Sequence, residues 1–178
     1  DDAWLELDGD SLTVTGRYEY VMGFGHHYQA QPAVTLRKES ALFDIAMSVT
    51  NLATVPMPLQ YMCHMNYAYV EGATFSQNVP DEAIQLRESI PAHVKPTEQW
   101  LAFNQRLQQG EATLKTLSEP HFYDPEIVFF ADRLDRYTDS PEFRMIAPDG
   151  TTFVTCFSSA ELNYATRWIL YNGDQQVA

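Results

Sequence analysis

Apolar and polar residues alternate through much of this chain. From Leu42 to Asn51 the odd positions Phe43, Ile45, Met47 and Val49 are apolar, and Asp44, Ala46, Ser48 and Thr50 lie between them. That period of two predicts a half-buried strand. Past the turn-prone Pro56-Met57-Pro58 the alternation resumes: Leu59, Tyr61, Cys63 and Met65 fall on one face, and Gln60, Met62, His64 and Asn66 on the other, which predicts a second strand. Shorter runs predict strands at 12–20, 33–37, 127–131, 143–146, 152–157 and 167–171. Pro148-Asp149-Gly150 is a hairpin-turn signal between two of them. One stretch has helical spacing instead. Trp100, Phe103 and Leu107 form a stripe between a potential N-cap, Thr97, and a stop, Gly110, so a single short helix is expected near 98–109. Many short strands and one helix predict an all-β protein, an antiparallel sandwich or barrel.

Length and composition narrow this further. With 178 residues, 45% of them hydrophobic, the chain fits one domain with a real core. Aromatic residues reach 13%, a proportion found in strands and in sugar-binding surfaces. Eleven basic against 24 acidic residues give a net charge of −13. Such a surface repels phosphate backbones and anionic headgroups, so neither nucleic acid nor a membrane is expected as partner, whereas a neutral small molecule is compatible. Cys63 and Cys156 do not make a disulfide framework, and their apolar neighbours predict buried thiols. The opening residues have neither the basic nor the apolar region of a signal peptide, and no apolar run reaches membrane-spanning length, so a cytoplasmic location is the expectation. The start on Asp1 suggests a piece of something longer.

Motifs for nucleotide, zinc-protease or serine-hydrolase chemistry are missing. The histidines are His26, His27, His64, His93 and His121. An extended chain would point His26 and His27 to opposite faces, and the cupin spacing is not there, so no metal and no cofactor is expected. His64 stands out. On a strand it shares a face with Gln60 and Asn66, with the His64 and Asn66 side chains about 7 Å apart. An imidazole beside an amide among aromatics can hold a sugar hydroxyl and exchange a proton near neutral pH. It can equally be a hydrogen-bonded strand histidine.

Asn51, Pro56-Met57-Pro58 and then His64-Met65-Asn66-Tyr67 resemble the central segment of the aldose 1-epimerase (galactose mutarotase-like) superfamily. In that family a strand ends in Asn, a proline-containing turn follows, and the next strand carries an H-x-[YFN]-[FNG] signature; the form here is closest to a branch reading H-x-N-[FY]. Tyr123-Asp124-Pro125-Glu126-Ile127-Val128 resembles the family's Asp-containing strand, and Pro148-Asp149-Gly150, 152–157 and Trp168 resemble its last strands. The resemblance runs from about Gly16 to the end. It implies a large antiparallel supersandwich that binds a sugar in an open cleft and interconverts the α and β anomers of an aldose. An imidazole gives a proton to the ring oxygen while a carboxylate removes the C1 hydroxyl proton; the ring opens, the aldehyde rotates and the ring recloses.

Matched residue by residue, the resemblance puts His64 in the general-acid position and Asn66 in the same signature. It makes Asp124 the binder of a sugar hydroxyl, with Glu126 as the alternative. Trp168 becomes an apolar wall for the sugar ring or else a core side chain, and Arg87 a polar contact or else a solvated arginine. The family's glutamate base would lie beyond the segment resembling 167–171, and no glutamate follows Glu161. Members run to about 300 residues. The chain is therefore expected to be part of a longer sandwich with strands missing at both ends, and no residue is assigned to the base. A carbohydrate-binding or sugar-sensing domain on the same scaffold is the competing reading, and a cupin-like metal enzyme the third. Which sugar is used, and the oligomeric state, are left open.

Overall fold

Three stretches in which alternation persists for nine residues or more build the first half of the chain. The computed structural model describes residues 2–92 and 94–171. It divides into two compact units, Asp1–His64 and Met65–Ala178. The first is a four-stranded antiparallel meander of β1 (Asp2–Asp8), β2 (Ser11–Val21), β3 (His27–Arg37) and β4 (Phe43–Asn51), in that spatial order. Gly9, at φ +56°, makes the tight β1–β2 turn.

The register sorts the side chains of this sheet cleanly. Leu7 pairs with Leu12, Leu12 with Leu36 and Leu36 with Phe43; Leu5 pairs with Val14, Val14 with Val34 and Val34 with Ile45. Paired residues share a face, so one face carries Leu5, Leu7, Val14, Tyr18, Val34, Leu36, Phe43, Ile45 and Met47. The other carries polar and charged groups. There Thr13 and Thr35 share a hydrogen bond of 2.9 Å, Glu19 lies 2.7 Å from His27, and Arg17 and Arg37 pair with Asp2 and Asp44.

The second unit holds two three-stranded antiparallel sheets and a helix. One sheet is ordered β5 (Thr74–Gln77), β8 (Glu142–Ile146), β9 (Thr152–Cys156). The other is ordered β10 (Ala165–Ile169), β7 (Ile127–Ala131), β6 (Ile84–Leu86). Their facing sides share a core. Ile127 and Ile169 meet Met145, Phe75 and Phe153, and Trp100 and Phe103 of the helix α1 (Glu98–Gln108) join them. Beside it, Val79, Ala83, Ala131 and Leu134 pack with Phe143 and Phe157. The protein is mostly β, sandwich-like, as the alternation predicts.

The helix begins as expected: the Thr97 hydroxyl accepts from the Trp100 backbone N–H at 3.1 Å. Gly110, at φ +72°, ends it. The inner face of β10 also carries one charge. Arg167 sits 4.7 Å over the Phe75 ring, and its Nη2 donates to Gln77 Oε1 at 3.0 Å, tying β10 to β5. Burial pulls its pKa below the ordinary arginine value, partly offset by Asp81. A desolvated guanidinium over an aromatic ring can be replaced at little cost by an apolar side chain of similar length. Both variants lose the bond to Gln77; Arg167→Met, which still fills the space, is expected to stay within about 1 kcal/mol of wild type in urea unfolding, and Arg167→Ala to lose about 2 kcal/mol because it leaves a cavity over Phe75.

Two expectations need correcting. The stretch Leu59–Asn66, read as a strand, is neither strand nor helix. Alternation describes an extended chain, whereas a strand also needs a neighbour to complete its hydrogen bonds. Asn51 instead closes a turn after β4: its Nδ2 donates to Val55 O at 2.8 Å, and its Oδ1 accepts from the Ala53 N–H at 3.0 Å. The thiols are not buried either. Cys63 is half-buried and Cys156 is exposed, its Sγ 3.6 Å from Glu142 Oε2. Cys156 lies on a narrow three-stranded sheet at its outer strand, where apolar neighbours in sequence do not enclose it.

Candidate functional site

Strand β7 pairs on both sides, and its register decides which candidate residues come together. Phe130 lies opposite Gln85 on β6 and Thr166 on β10. Val128 lies opposite Trp168, and the Arg87 N–H donates to Val128 O at 2.9 Å, extending the β6 ladder by one residue. Ile84, Leu86, Ile127, Phe129, Ala131 and Ile169 face the core. By alternation Gln85, Arg87, Val128, Phe130, Thr166 and Trp168 fall on the opposite side of the sheet, where Val128 is itself buried while Phe130 and Trp168 are exposed. Arg87, Val128 and Trp168 thus form a row across three strands, about 10 Å from end to end at the usual strand spacing. Trp168 and Phe130 are 51% and 47% exposed, and as diagonal neighbours they stand about 7–8 Å apart.

Glu126 completes this face. Its Oε1 lies 2.7 Å from Arg87 Nη2, with both side chains largely withdrawn from solvent. The Glu126 carbonyl accepts from Trp100 Nε1 at 2.8 Å, which anchors the start of β7 to α1. A withdrawn guanidinium held by a withdrawn carboxylate is a fixed donor array: Glu126 occupies part of the fork, and the remaining N–H groups keep their directions. With an indole at the far end of the row, the face offers an apolar surface and oriented donors, the two things a pyranose ring with its hydroxyls uses.

The other candidates fall elsewhere. Asp124 precedes Glu126 across a cis Asp124–Pro125 bond; it is half-buried, and its backbone carbonyl accepts from the Thr97 hydroxyl at 3.4 Å. Asn66 is exposed and on no strand. His64 is exposed on the same irregular stretch and is the last residue of the first unit, while Asn66 lies in the second. The strand on which the one-face relation of His64 and Asn66 rested does not form. Trp168 is no core side chain, and Arg87 is paired and not merely solvated.

Of the remaining histidines, His27 pairs with Glu19, and His121 stacks edge-on against Phe122 with its Nδ1 3.4 Å from Glu119. His93 lies outside the described residues. Among the described residues, no group of three or more His, Cys, Asp or Glu is placed to hold a metal ion, and no helix is long and apolar enough to cross a membrane. Comparison with protein-family models, with curated proteins and with solved structures gives no match.

Sequence reasoning missed Gln85, Phe130 and Thr166. Phe130 lies in Ile127-Val128-Phe129-Phe130-Ala131, a run that is apolar on both faces and so does not announce which one meets solvent.

Proposed function

We propose that this protein is a carbohydrate-binding isomerase that interconverts the α and β anomers of an aldose by general acid–base ring opening. The observation that carries the binding half is the outward face of β6, β7 and β10. Arg87, Glu126 and Trp168, three candidates from well-separated parts of the sequence, share that face, and two of them form an ion pair of 2.7 Å. The sugar's apolar side lies on Trp168 and its hydroxyls accept from Arg87, whose geometry Glu126 fixes. A net charge of −13 agrees with an uncharged ligand. His64 supplies the proton to the ring oxygen on the strength of its signature alone, and no residue of this chain is assigned to the base.

Titration with a panel of neutral aldoses, followed by calorimetry, tests the binding half. Trp168→Ala is expected to weaken the best sugar about tenfold, the loss of about 1.4 kcal/mol of stacking and apolar contact. Because Trp168 is half exposed, the fold should survive the change. Unaltered affinity would remove the sugar from this face.

One observation favours the competing, non-catalytic reading. His64 sits on no strand, and a proton donor works best when a rigid element holds it. In a purely sugar-binding domain the Trp168 result would be the same, and no variant would alter anomer exchange.

A further inference from the structure

The meander formed by β1 to β4 has an apolar face but no core. Among residues 2–64 only Thr15 is buried, and it lies on the polar face. On the apolar face Leu5 is 67% exposed, Leu7 82%, Phe43 49% and Ile45 42%. Among the described residues, no Asp, Glu, Lys or Arg belongs to this face. The row register gives Leu7–Leu12–Leu36–Phe43 at one end, Leu5–Val14–Val34–Ile45 next to it, and the stacked rings of Tyr20 and Tyr28, 5.1 Å apart, at the other end. Single exposed apolar residues are ordinary, but a continuous uncharged sheet face this large marks an interaction surface.

We propose that this face is the contact surface of a homodimer, in which the apolar faces of two copies of the meander pack against each other as the two layers of a sandwich. Four strands at the usual spacing, each about nine residues long, cover roughly 600 Å² per copy and about 1,200 Å² for a pair, which reaches the area of a stable interface. A twofold contact suits the face because it carries no charge. The charged side chains of the four strands lie on the opposite face among the described residues, so packing the apolar faces together buries none of them. The middle of the face is shallow. Gly16 opposes Pro32, whose ring lies 3.4 Å from where a Gly16 Cβ would stand, and Ala30 and Ala3 flank them. The larger residues toward the ends can enter this trough from the opposite copy. The same net charge disfavours a lipid surface as the occupant.

Sedimentation velocity of the chain from about 1 to 100 µM tests the proposal, with a chain mass of 20.3 kDa as the unit. A discrete dimer is expected. Ile45→Lys should weaken its association about a hundredfold or more, and Thr35→Lys, on the polar face, should leave it unchanged. Because Ile45→Lys could also unfold the meander, wild-type protein is examined in parallel as an equal mixture of isotope-labelled and unlabelled chains. Intermolecular NOEs are expected between the Val34, Leu36 and Ile45 methyls of one copy and the apolar-face side chains of the other. A monomer throughout the range, assemblies of no fixed size, a dimer that survives Ile45→Lys, or intermolecular NOEs confined to other surfaces would each overturn it.

Discussion

His64→Gln is expected to slow anomer exchange of the best aldose by about 10² to 10⁴, equivalent to roughly 3–5 kcal/mol of barrier, the usual contribution of a positioned general acid. Sugar affinity should fall far less, because glutamine keeps a hydrogen-bond donor. Stability should barely change, since His64 is exposed and on no strand. That combination separates a proton donor from a residue that merely supports the fold, whose loss would lower stability and leave the rate of the folded fraction intact. Exchange spectroscopy by NMR measures the rate, and calorimetry the affinity. Wild-type exchange in a folded His64→Gln protein would end the catalytic assignment and leave the binding reading in place.

The largest effect on stability is expected at Tyr123. It is fully buried, stands edge-on to Phe103 with ring centroids 5.9 Å apart, and lies at the same distance from Tyr69. Its hydroxyl accepts from the Ser118 backbone N–H at 2.8 Å and shares a hydrogen bond of 3.0 Å with the Ser118 hydroxyl. Tyr123→Ala removes the ring from the middle of the core between the two sheets and should cost about 3–5 kcal/mol. Tyr123→Phe keeps the ring but leaves the Ser118 N–H without its acceptor, at a cost of about 1–3 kcal/mol. Against a total of about 5–15 kcal/mol for a typical domain, the alanine variant should be largely unfolded or melt far lower. Urea unfolding followed by circular dichroism gives both values; an alanine variant within 1 kcal/mol of wild type would mean that the core is not packed as described.

Local pattern carried the fold class and several of the elements. Strand β4 follows the alternation from Phe43 to Asn51, β7 matches its apolar run, and the helix starts at its Thr97 cap. What failed was whatever depended on a neighbour. The first half of β3 was hidden by Pro32, which cannot donate to a ladder; it is accommodated where β2 supplies Gly16, whose missing side chain leaves room for the ring. Strand β6 is three residues long, too short for a period to show. Leu59–Asn66 has the alternation and no ladder.

The site divides in the same way. Trp168, Glu126 and Arg87 could each be singled out by type and context. Their common face is a property of the β6–β7–β10 register, which joins residues some 40 positions apart on either side of β7, and no local spacing encodes it. The placing of His64 and Asn66 on one face was inferred from a strand that does not form.

A crystal of the protein soaked in mixed neutral aldoses tests the central claim most directly. One sugar is expected to order against the outward face of β6, β7 and β10, with its apolar side on the Trp168 indole and a hydroxyl within hydrogen-bond distance, about 2.7–3.2 Å, of an Arg87 nitrogen. A sugar ordered on another surface, with this face left in bare solvent at a concentration that saturates the protein in solution, would contradict the account.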